Sequence, residues 1–426
     1  MTVTRARRVP DWSCLPPPHP ALRISVVVPV RNEARRLPAA LRALAHQRVL
    51  DGTPLPRECY EVIVLANNCS DASAEVVQRC AARHAGLALH VVEVRFVATH
   101  AHVGNARACL MNLACRRLMK TAGHRGVIAS TDGDTRVAAD WLAATLEEID
   151  AGADAVGGRI VAGGDVALPG GLIGLTRRDA LYQRLRVQLE HIVDPDEADP
   201  WPRHHQHFGA SLAVTAAAYA QAGGMPVTPF LEDEALYRRL RQHDLKIRHS
   251  ERVSVVTSSR RRGRVEIGLS WQLRVWQACD EAGEDARVPC PFALCEALAL
   301  RRRLRRLWLQ RGARLTTGRT AMPAGEAKAL EAIAERLIIG ATRLQREWRR
   351  AETFGALWAE VEPRIKPLSK RPAHTAGVPM REAIASLRTL IARHVGRQRA
   401  RTNRAGTLRD AAPADGAARR SARSAG

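Results

Sequence analysis

The sequence predicts an α/β protein built on a doubly wound sheet with flanking helices, followed by a C-terminal α-helical region. In the first 270 residues, short apolar runs rich in β-branched side chains alternate with segments of helical spacing. This alternation is typical of strands joined by crossover helices, which predicts a parallel sheet. Beyond residue 270 the chain changes to long Arg-, Ala- and Leu-rich stretches with helical periodicity. The two patterns indicate two structural regions.

Four strands are expected in the first 130 residues, because four apolar runs each lead into a loop or a polar stretch. They span residues 24–30, 61–66, 87–94 and 126–130. Helical spacing between them predicts helices over 38–46, from residue 71 onward, and over 105–118. Asp71 or Ser73 is available to cap the second of these helices at its N-terminus.

The second part of the sheet is expected to be less regular. A glycine-rich segment, 155–174, indicates a strand that emerges into a mobile loop. Two helices and two further strands are expected over 178–191, 232–241, 208–216 and 252–257. In the C-terminal region the predicted helices span 271–282, 292–312, 325–350 and 380–396.

These patterns divide the chain into four parts. A flexible N-terminal segment, 1–22, precedes the α/β domain, which occupies 23–270. The basic helical region follows over 271–396. The tail, 397–426, has almost no large apolar side chains, so we expect it to be disordered.

Composition narrows the class of protein. The 426 residues are 46% hydrophobic and 26% charged, which excludes a mainly disordered chain. No run approaches the ~18 apolar residues of a membrane-spanning helix, and the first twenty residues lack the apolar core of a secretory signal. The nine cysteines form no Cys-x-x-Cys pair, which argues against zinc and disulfide frameworks. We therefore expect a cytoplasmic protein.

The net charge of +23 is concentrated in the C-terminal part, where residues 271–426 contain 31 basic and 15 acidic side chains. Arginine supplies 61 of the 66 basic residues, a skew that a GC-rich coding bias produces without any selection for binding. The functional alternative is attraction to an anionic partner, such as the inner face of a membrane. Nucleic acid is not expected as a partner, because only 4% of the residues are aromatic.

Polar clusters follow three of the predicted strands, and a fourth opens a helix. They are Val28-Pro29-Val30-Arg31-Asn32-Glu33, Asn67-Asn68-Cys69-Ser70-Asp71, Thr131-Asp132-Gly133-Asp134 and Leu231-Glu232-Asp233-Glu234. In an open parallel sheet, ligands bind in the crevice at the carboxyl ends of the strands. The three strand-end clusters are therefore expected to meet at one site.

Two of these clusters contain acids in chemically informative positions. Asp132 and Asp134 flank a glycine, so both carboxylates can reach one divalent cation, which would bridge a nucleotide diphosphate. The alternative is an Asp-Gly turn with helix-capping acids. Glu232 and Asp233 begin a helix, where acids also suit the helix dipole. A carboxylate there that faces the crevice could instead take a proton from an attacking hydroxyl.

Two basic clusters remain open to more than one interpretation. The run His204-His205-Gln206-His207 can supply a metal ligand, with His207 our candidate, or an acceptor contact, and the alternative is an exposed polar loop. The run Arg260-Arg261-Arg262-Gly263-Arg264 can bind a diphosphate or an anionic acceptor through guanidinium groups, and the alternative is a solvated turn.

Taken in order, the motifs VVVPVRNE, NNCSD, HVGNARA, STDGDT and GGMP…LEDE resemble those of family 2 glycosyltransferases with a GT-A fold. The resemblance covers about residues 23–270. It implies a mixed GT-A sheet and an inverting, nucleotide-sugar-dependent transferase that uses Mg²⁺ or Mn²⁺. It further implies a role for each matching residue. Pro29, Val30 and Glu33 would line the nucleobase and ribose pocket, with Asn68 and Asp71 at the base and Gly104, Asn105 and Arg107 beside the nucleotide. Asp132 and Asp134 would serve the ribose, diphosphate and metal, and Asp233, next to Glu232, would be the catalytic base.

The sequence departs from the family pattern at two places. Asn67 and Asn68 replace the usual acidic pair, so a uridine base is favoured only by its frequency in the family. The Gln-x-x-Arg-Trp motif of processive synthases is missing, which favours transfer of a single sugar to a small or lipid-linked acceptor. A nucleotidyltransferase is the alternative enzyme, although the loop from Pro29 to Arg36 lacks the glycines of that class. The non-enzymatic alternative is a basic protein that binds nucleic acid or a membrane surface.

Overall fold

The computed structural model describes residues 9–163, 168–261, 263, 266–337, 339–365 and 377–410, with only the backbone described for residues 398, 399 and 401–410. Ten strands and thirteen helices occur in this part of the chain. The strands are β1 (Ile24–Val30), β2 (Tyr60–Asn67), β3 (Ala88–Val94), β4 (Val127–Ser130), β5 (Thr135–Val137), β6 (Ala155–Ala162), β7 (Leu212–Thr215), β8 (Ile247–Thr257), β9 (Arg287–Val288) and β10 (Val378–Pro379).

The helices of the first 270 residues flank the sheet strands, and the later helices follow them in sequence. They are α1 (Leu37–Ala45), α2 (Ser73–Arg83), α3 (Val103–Leu118), α4 (Trp141–Asp150), α5 (Gly170–Val193), α6 (Ala216–Gln221), α7 (Glu232–Gln242), α8 (Leu269–Glu281), α9 (Pro291–Thr316), α10 (Ala324–Ala334), α11 (Ala341–Arg350), α12 (Phe354–Val361) and α13 (Met380–Asp410). The predicted α/β class with a C-terminal helical region is confirmed.

Eight strands form one mixed sheet in the order β3-β2-β1-β4-β7-β6-β8-β5. The strands β3, β2, β1 and β4 run parallel, as the strand-helix alternation predicts. β7 pairs antiparallel with both β4 and β6 and so interrupts this pattern. The sheet is mixed because β7 follows the 3-10 turn Gly209–Ser211 and enters from the opposite end.

The sheet is buried on both faces, because alternate residues of its strands point to opposite sides. On β1, Val27 packs with α3, α6 and α7 in one core. Val26 and Val28 pack on the other face with α1, α2 and α4. The helices thus cover both faces of the sheet, and the loops at the strand ends remain exposed at its edge.

The C-terminal helices form two further cores. One contains residues of α5, α8, α13 and the first half of α9. The other contains the second half of α9 with α10, α11 and α12. Helix α5 therefore packs with the C-terminal helices, although it lies inside the α/β segment in sequence. The Asp244 carboxylate also accepts hydrogen bonds from the backbone N–H groups of Phe354 and Gly355, 2.7 Å each, which fastens α12 to the end of α7.

Several predicted boundaries differ from the structure. The helix expected over 325–350 is two helices, with Gly340 at the start of the second. The strand expected over 208–216 begins only at Leu212. β5 was not predicted, because its three residues are too few for a periodic signal. Of the loop expected within 155–174, residues 164–167 lie outside the described residues.

The two ends of the chain also differ from expectation. Residues 9–22 were expected to be flexible, but Leu22 is buried and Trp12 packs against the sheet core. Arg117 holds this segment by donating to the Pro16 carbonyl, 2.8 Å away. At the other end, α13 continues past the predicted boundary at residue 397 to Asp410, and residues 411–426 lie outside the described part. Within the described residues, no helix has the length and apolarity to cross a membrane.

Candidate active site

Three of the predicted polar clusters meet at one edge of the sheet. β1, β2 and β4 are parallel neighbours, so their carboxyl ends at Val30, Asn67 and Ser130 lie side by side. The loops after these strands carry the clusters that begin at Arg31, Asn68 and Thr131. The expectation that they converge is confirmed by the strand register.

Arg107 on α3 connects this edge to the fourth cluster, at the start of α7. Its Nη2 donates to Asp132 Oδ1 at 2.8 Å, and its Nε donates to Glu232 Oε1 at 2.9 Å. A third nitrogen, Nη1, donates to the Gly209 carbonyl at 3.0 Å and to the Ser130 hydroxyl. Only 4% of the Arg107 side chain is exposed. One buried guanidinium therefore holds together two acids that are a hundred residues apart in sequence.

The charges of this buried group depend on one another. Burial alone would lower the pKa of Arg107, but the carboxylates of Asp132 and Glu232 raise it above its ordinary value. Burial raises the pKa of Glu232, although Arg107 opposes the change. Burying a charge costs free energy unless an opposite charge lies close to it. Removal of any one of these side chains would therefore strongly destabilise the folded protein.

A second guanidinium, that of Arg260, lies on the neighbouring acids. Its Nη1 is 2.7 Å from Glu33 Oε1, and its Nη2 is 3.0 Å from Asp134 Oδ2. Burial raises the pKa of Asp134 to about 6, and the nearby negative charge of Asp132 adds to this effect while Arg260 opposes it. A buried carboxylate beside a second negative charge forms a site that a cation stabilises.

Asp233 is half-buried at the first turn of α7, and its carboxylate is held by the backbone. Oδ2 accepts from the Gly209 N–H at 2.7 Å, and Oδ1 accepts from the Glu234 N–H at 2.8 Å. The preceding residue, Leu231, has φ +56°, a conformation that costs energy for a side chain of this size. This strained turn directs the helix start toward the strand ends.

The side chain of His207 contacts α7 rather than the Asp132–Asp134 pair. Its Nε2 lies 2.7 Å from Glu234 Oε2, and its ring stacks on Tyr237 with centroids 3.7 Å apart. Its Nδ1 is buried and without a hydrogen-bond partner. The hydrogen bonds from His207 and Arg238 lower the pKa of Glu234, although burial opposes them. His207 therefore locks the first turn of α7 onto the segment that carries Gly209.

We predict that His207→Ala lowers the turnover number about tenfold and leaves Mn²⁺ affinity unchanged, because the loss affects the placement of α7 and not the acidic pair. Turnover is to be measured with saturating donor, and Mn²⁺ binding by calorimetry. The variant His204→Ala is the control, since His204 is also buried but bonds to the Ser250 carbonyl. Loss of Mn²⁺ binding in His207→Ala alone would instead identify His207 as a metal ligand.

The residues predicted to contact the base are engaged in the local backbone. The Asn68 side chain donates to the Phe96 carbonyl at 3.0 Å and accepts from the Phe96 N–H at 2.9 Å. Asp71 accepts from the N–H groups of Ala34 and Ser73, at 3.0 and 3.1 Å. Both side chains thus fix the shape of the loops around the predicted pocket. Pro29 and Val30 end β1 within the same edge.

Two glycines allow close approach at this edge. A Cβ on Gly104 would lie 1.9 Å from the Thr228 carbonyl oxygen, so only glycine lets the loop before α7 reach α3. A Cβ on Gly133 would lie 2.9 Å from Val30 Cγ2, which explains the glycine between the two aspartates. Asn105, next to Gly104, is buried and donates to the His100 carbonyl at 3.0 Å.

The acidic pair fits a divalent cation, but the structure does not bring the predicted third ligand to it. Asp132 and Asp134 offer hard oxygen ligands, and burial with the nearby charge of Asp132 raises the pKa of Asp134, so a bound cation would stabilise its ionised form. Among the described residues, no three His, Cys, Asp or Glu side chains gather closely enough to hold a metal ion. A cation at this site would complete its shell with diphosphate oxygens and water.

Residues 25–200 match the family model described as Glycosyl transferase family 2. These residues belong to glycosyltransferase family 2. The match confirms the predicted resemblance over the segment that contains Arg107 and the Asp132–Asp134 pair, and the observed mixed sheet agrees with the predicted GT-A class. Asp233 and Arg260 lie beyond the matched residues. No curated protein matches the chain.

Solved structures offer distant likenesses. PcManGT, a mannosyltransferase from Pyrobaculum calidifontis solved with GDP-Man and Mn²⁺, is 23% identical, with 84% of this chain and 89% of that chain covered and a TM-score of 0.42. S. aureus TarS 1-349 is 13% identical, with 76% and 82% covered and a TM-score of 0.38. A mycobacterial protein is 17% identical, with 62% and 76% covered and a TM-score of 0.32. Likenesses at this level carry no information about substrates.

Some site groups had no signal in the sequence. The Gly209 N–H that holds Asp233 is a backbone group, and no residue type announces it. Ser130, which accepts from Arg107, is one small residue at the end of a strand. Glu234 was noticed only as part of an acidic run, yet it binds His207. The contacts of Gly209 and Glu234 depend on how α7 returns to the sheet.

Proposed function

We propose that this protein is a metal-assisted glycosyltransferase. It transfers a single sugar from a nucleotide-diphosphate donor, with a UDP-sugar as the first candidate, to a hydroxyl group of a small or lipid-linked acceptor. One observation carries the proposal: Arg107 binds the acid at the end of β4 and the acid at the start of α7 at once. A cation-binding pair and a candidate base therefore belong to one site.

On the donor side, Asp132 and Asp134 would hold Mg²⁺ or Mn²⁺ together with the diphosphate. When bound, such a cation supplies neutralisation of the negative charge that develops on the leaving diphosphate. Pro29, Val30 and Glu33 would border the nucleoside, with Asp71 and Asn68 shaping the neighbouring loops. Arg107 would position the site residues without contacting the donor, because its buried guanidinium is already hydrogen-bonded to protein groups.

On the acceptor side, Asp233 is a better candidate base than Glu232. Glu232 is 3% exposed and bonded to Arg107, so its carboxylate is occupied. Asp233 is half-buried, and its backbone hydrogen bonds fix the orientation of the carboxylate without covering all of its lone pairs. We propose that Asp233 accepts the acceptor's hydroxyl proton during attack on the anomeric carbon. A single displacement of this kind inverts the configuration at that carbon.

A thermal-shift screen of UDP, GDP, CDP and dTDP, each with and without Mn²⁺, tests the donor assignment. Binding to the folded state raises the melting temperature, by an amount equivalent to about 2.7 kcal/mol at a hundredfold excess over Kd. We expect one nucleotide to give a clear shift that requires Mn²⁺. If none of the four nucleotides raises the melting temperature, with or without Mn²⁺, the nucleotide-sugar assignment is wrong.

We propose a cytoplasmic protein that touches the inner membrane face through its basic C-terminal part. Truncation after Gly396 removes eight Arg and two Asp and retains the buried core residues of α13, such as Leu387 and Leu390. The turnover number with a soluble acceptor should not change. Co-sedimentation with vesicles containing phosphatidylserine should fall on truncation, and should fall for the intact protein on raising the salt. Equal sedimentation of both forms would leave coding bias as the explanation for the arginines.

A further inference from the structure

Arg260 carries a positive charge into the acidic end of the candidate site. It follows β8, and its guanidinium spans two carboxylates that come from different strand ends, those of Glu33 and Asp134. Both Glu33 oxygens lie within 2.9 Å of Nη1. The side chain therefore bridges the Glu33 carboxylate and one oxygen of Asp134.

The two site arginines are held very differently. Arg107 is 4% exposed and is bound by two carboxylates, a hydroxyl and a backbone carbonyl. Arg260 is 21% exposed, and the contacts described above are with carboxylates alone. A guanidinium at the solvent edge can leave its partners with far less loss than one at the centre of a buried network. Arg260 is the exchangeable cation of the two.

We propose that Arg260 is an internal counter-cation that exchanges partners during donor binding. In the donor-free protein it neutralises Glu33 and Asp134. On donor binding it gives up Asp134 to a divalent cation and pairs with the donor's diphosphate. This inference rests on the proposed function, and it adds a donor-binding role and a reason for coupled binding of metal and nucleotide.

The charges make this exchange favourable. Arg260 neutralises part of the negative charge that Asp134 presents and repels a second cation, so it opposes cation binding while it stays in place. A diphosphate offers Arg260 the bidentate oxygens that guanidinium groups prefer. Metal alone would leave Arg260 with Glu33 and without its second carboxylate partner, whereas metal with diphosphate replaces that lost partner. Metal and nucleotide should accordingly bind with positive coupling.

The first test measures MnCl₂ binding to the full chain by calorimetry, without nucleotide. Arg260→Met should bind Mn²⁺ about tenfold more tightly than wild type, because a hydrogen-bonded charge no longer competes for the site. The control is Arg125→Met, which removes the same charge from an exposed pair with Asp150, before the amino end of β4. Affinity of Arg260→Met equal to or weaker than that of the control would overturn the proposal.

A second variant distinguishes the effect of losing the guanidinium from an effect of misfolding. Arg260→Lys keeps the charge but cannot span both carboxylates, so its Mn²⁺ affinity should lie between those of wild type and Arg260→Met. The circular dichroism spectrum and melting curve of each variant establish that it is folded. Affinity of Arg260→Lys outside that interval would contradict the proposal by itself.

The second test measures UDP and GDP binding at saturating Mn²⁺. For whichever nucleotide wild type binds, Arg260→Met should bind about tenfold more weakly, because the diphosphate loses a charge-assisted partner. Unchanged nucleotide affinity would overturn the exchange. Neither test requires an acceptor. If glycosyl transfer is never observed but both affinities move as expected, only the proposed function fails; if transfer occurs and neither affinity moves, only the exchange fails.

Discussion

Asp233→Asn should lower the turnover number by about 10²–10⁴-fold, the contribution that a positioned general base typically makes. The amide cannot take up the proton of the attacking hydroxyl, so the step for which Asp233 is proposed is lost. Its carbonyl oxygen can still accept from the Gly209 N–H, and only the local bond from the Glu234 N–H is lost, so the start of α7 should keep its place. Donor affinity should also be retained, since the proposed donor contacts come from the strand ends.

Initial rates at saturating donor and acceptor, with nucleotide affinity by calorimetry, test this expectation. Asp140→Asn is the matched control, because Asp140 precedes α4 and its replacement removes the same charge at a helix start outside the site. Its turnover should equal that of wild type. An anomeric configuration retained from donor to product, read by NMR, would remove Asp233 from the role of base in a single displacement.

Asp134→Asn should reduce turnover by roughly 10³-fold or more, because a divalent cation supplies several kcal/mol of charge stabilisation to the leaving group. With one carboxylate left, the proposed pair can no longer hold the cation firmly. Mn²⁺ affinity should fall together with turnover. Near-wild-type transfer at saturating metal would show that the Asp132–Asp134 pair is not the metal site.

The same variant should not be less stable than wild type when metal is absent. The pKa of Asp134 is raised from 3.8 to about 6 in the folded protein, so its ionisation opposes folding above that pH. Wild type therefore loses stability from this group as the pH rises from about 4 to about 6, and Asp134→Asn does not. We expect a higher melting temperature for the variant at pH 7, with a smaller difference at pH 4. A lower melting temperature at pH 7 would mean that the pairing with Arg260 outweighs the cost of burial.

Much of the site could be predicted from the sequence because its signals are local. Asp132 and Asp134 directly follow a buried strand, and the glycine between them is required by the close approach of Val30. The period of the apolar residues predicts β1, β2 and β4, and parallel neighbours must end at one edge. Convergence of the three strand-end clusters follows from these facts alone.

The interactions that assemble the site could not be predicted in this way. Arg107 reaches Glu232 only because the segment after β7 returns the chain to α3, where the Thr228 carbonyl packs against Gly104. His207 looked like a metal ligand in sequence, yet the same return places it on Glu234 and Tyr237. No periodic pattern encodes the direction of a four-residue strand such as β7.

The sequence by itself determined the order of β1 to β4 and the helices between them, the separate helical texture after residue 270, and the acids that lie at the strand ends. These features depend on hydrophobic period and on neighbouring residues, which a linear pattern records. The tertiary structure alone decided that Arg260 bridges Glu33 and Asp134, across 227 residues of sequence, and that α5 packs with the C-terminal helices. Long-range partners are selected by the packing of whole elements, because a guanidinium or a helix face meets its partner only after the intervening chain has folded.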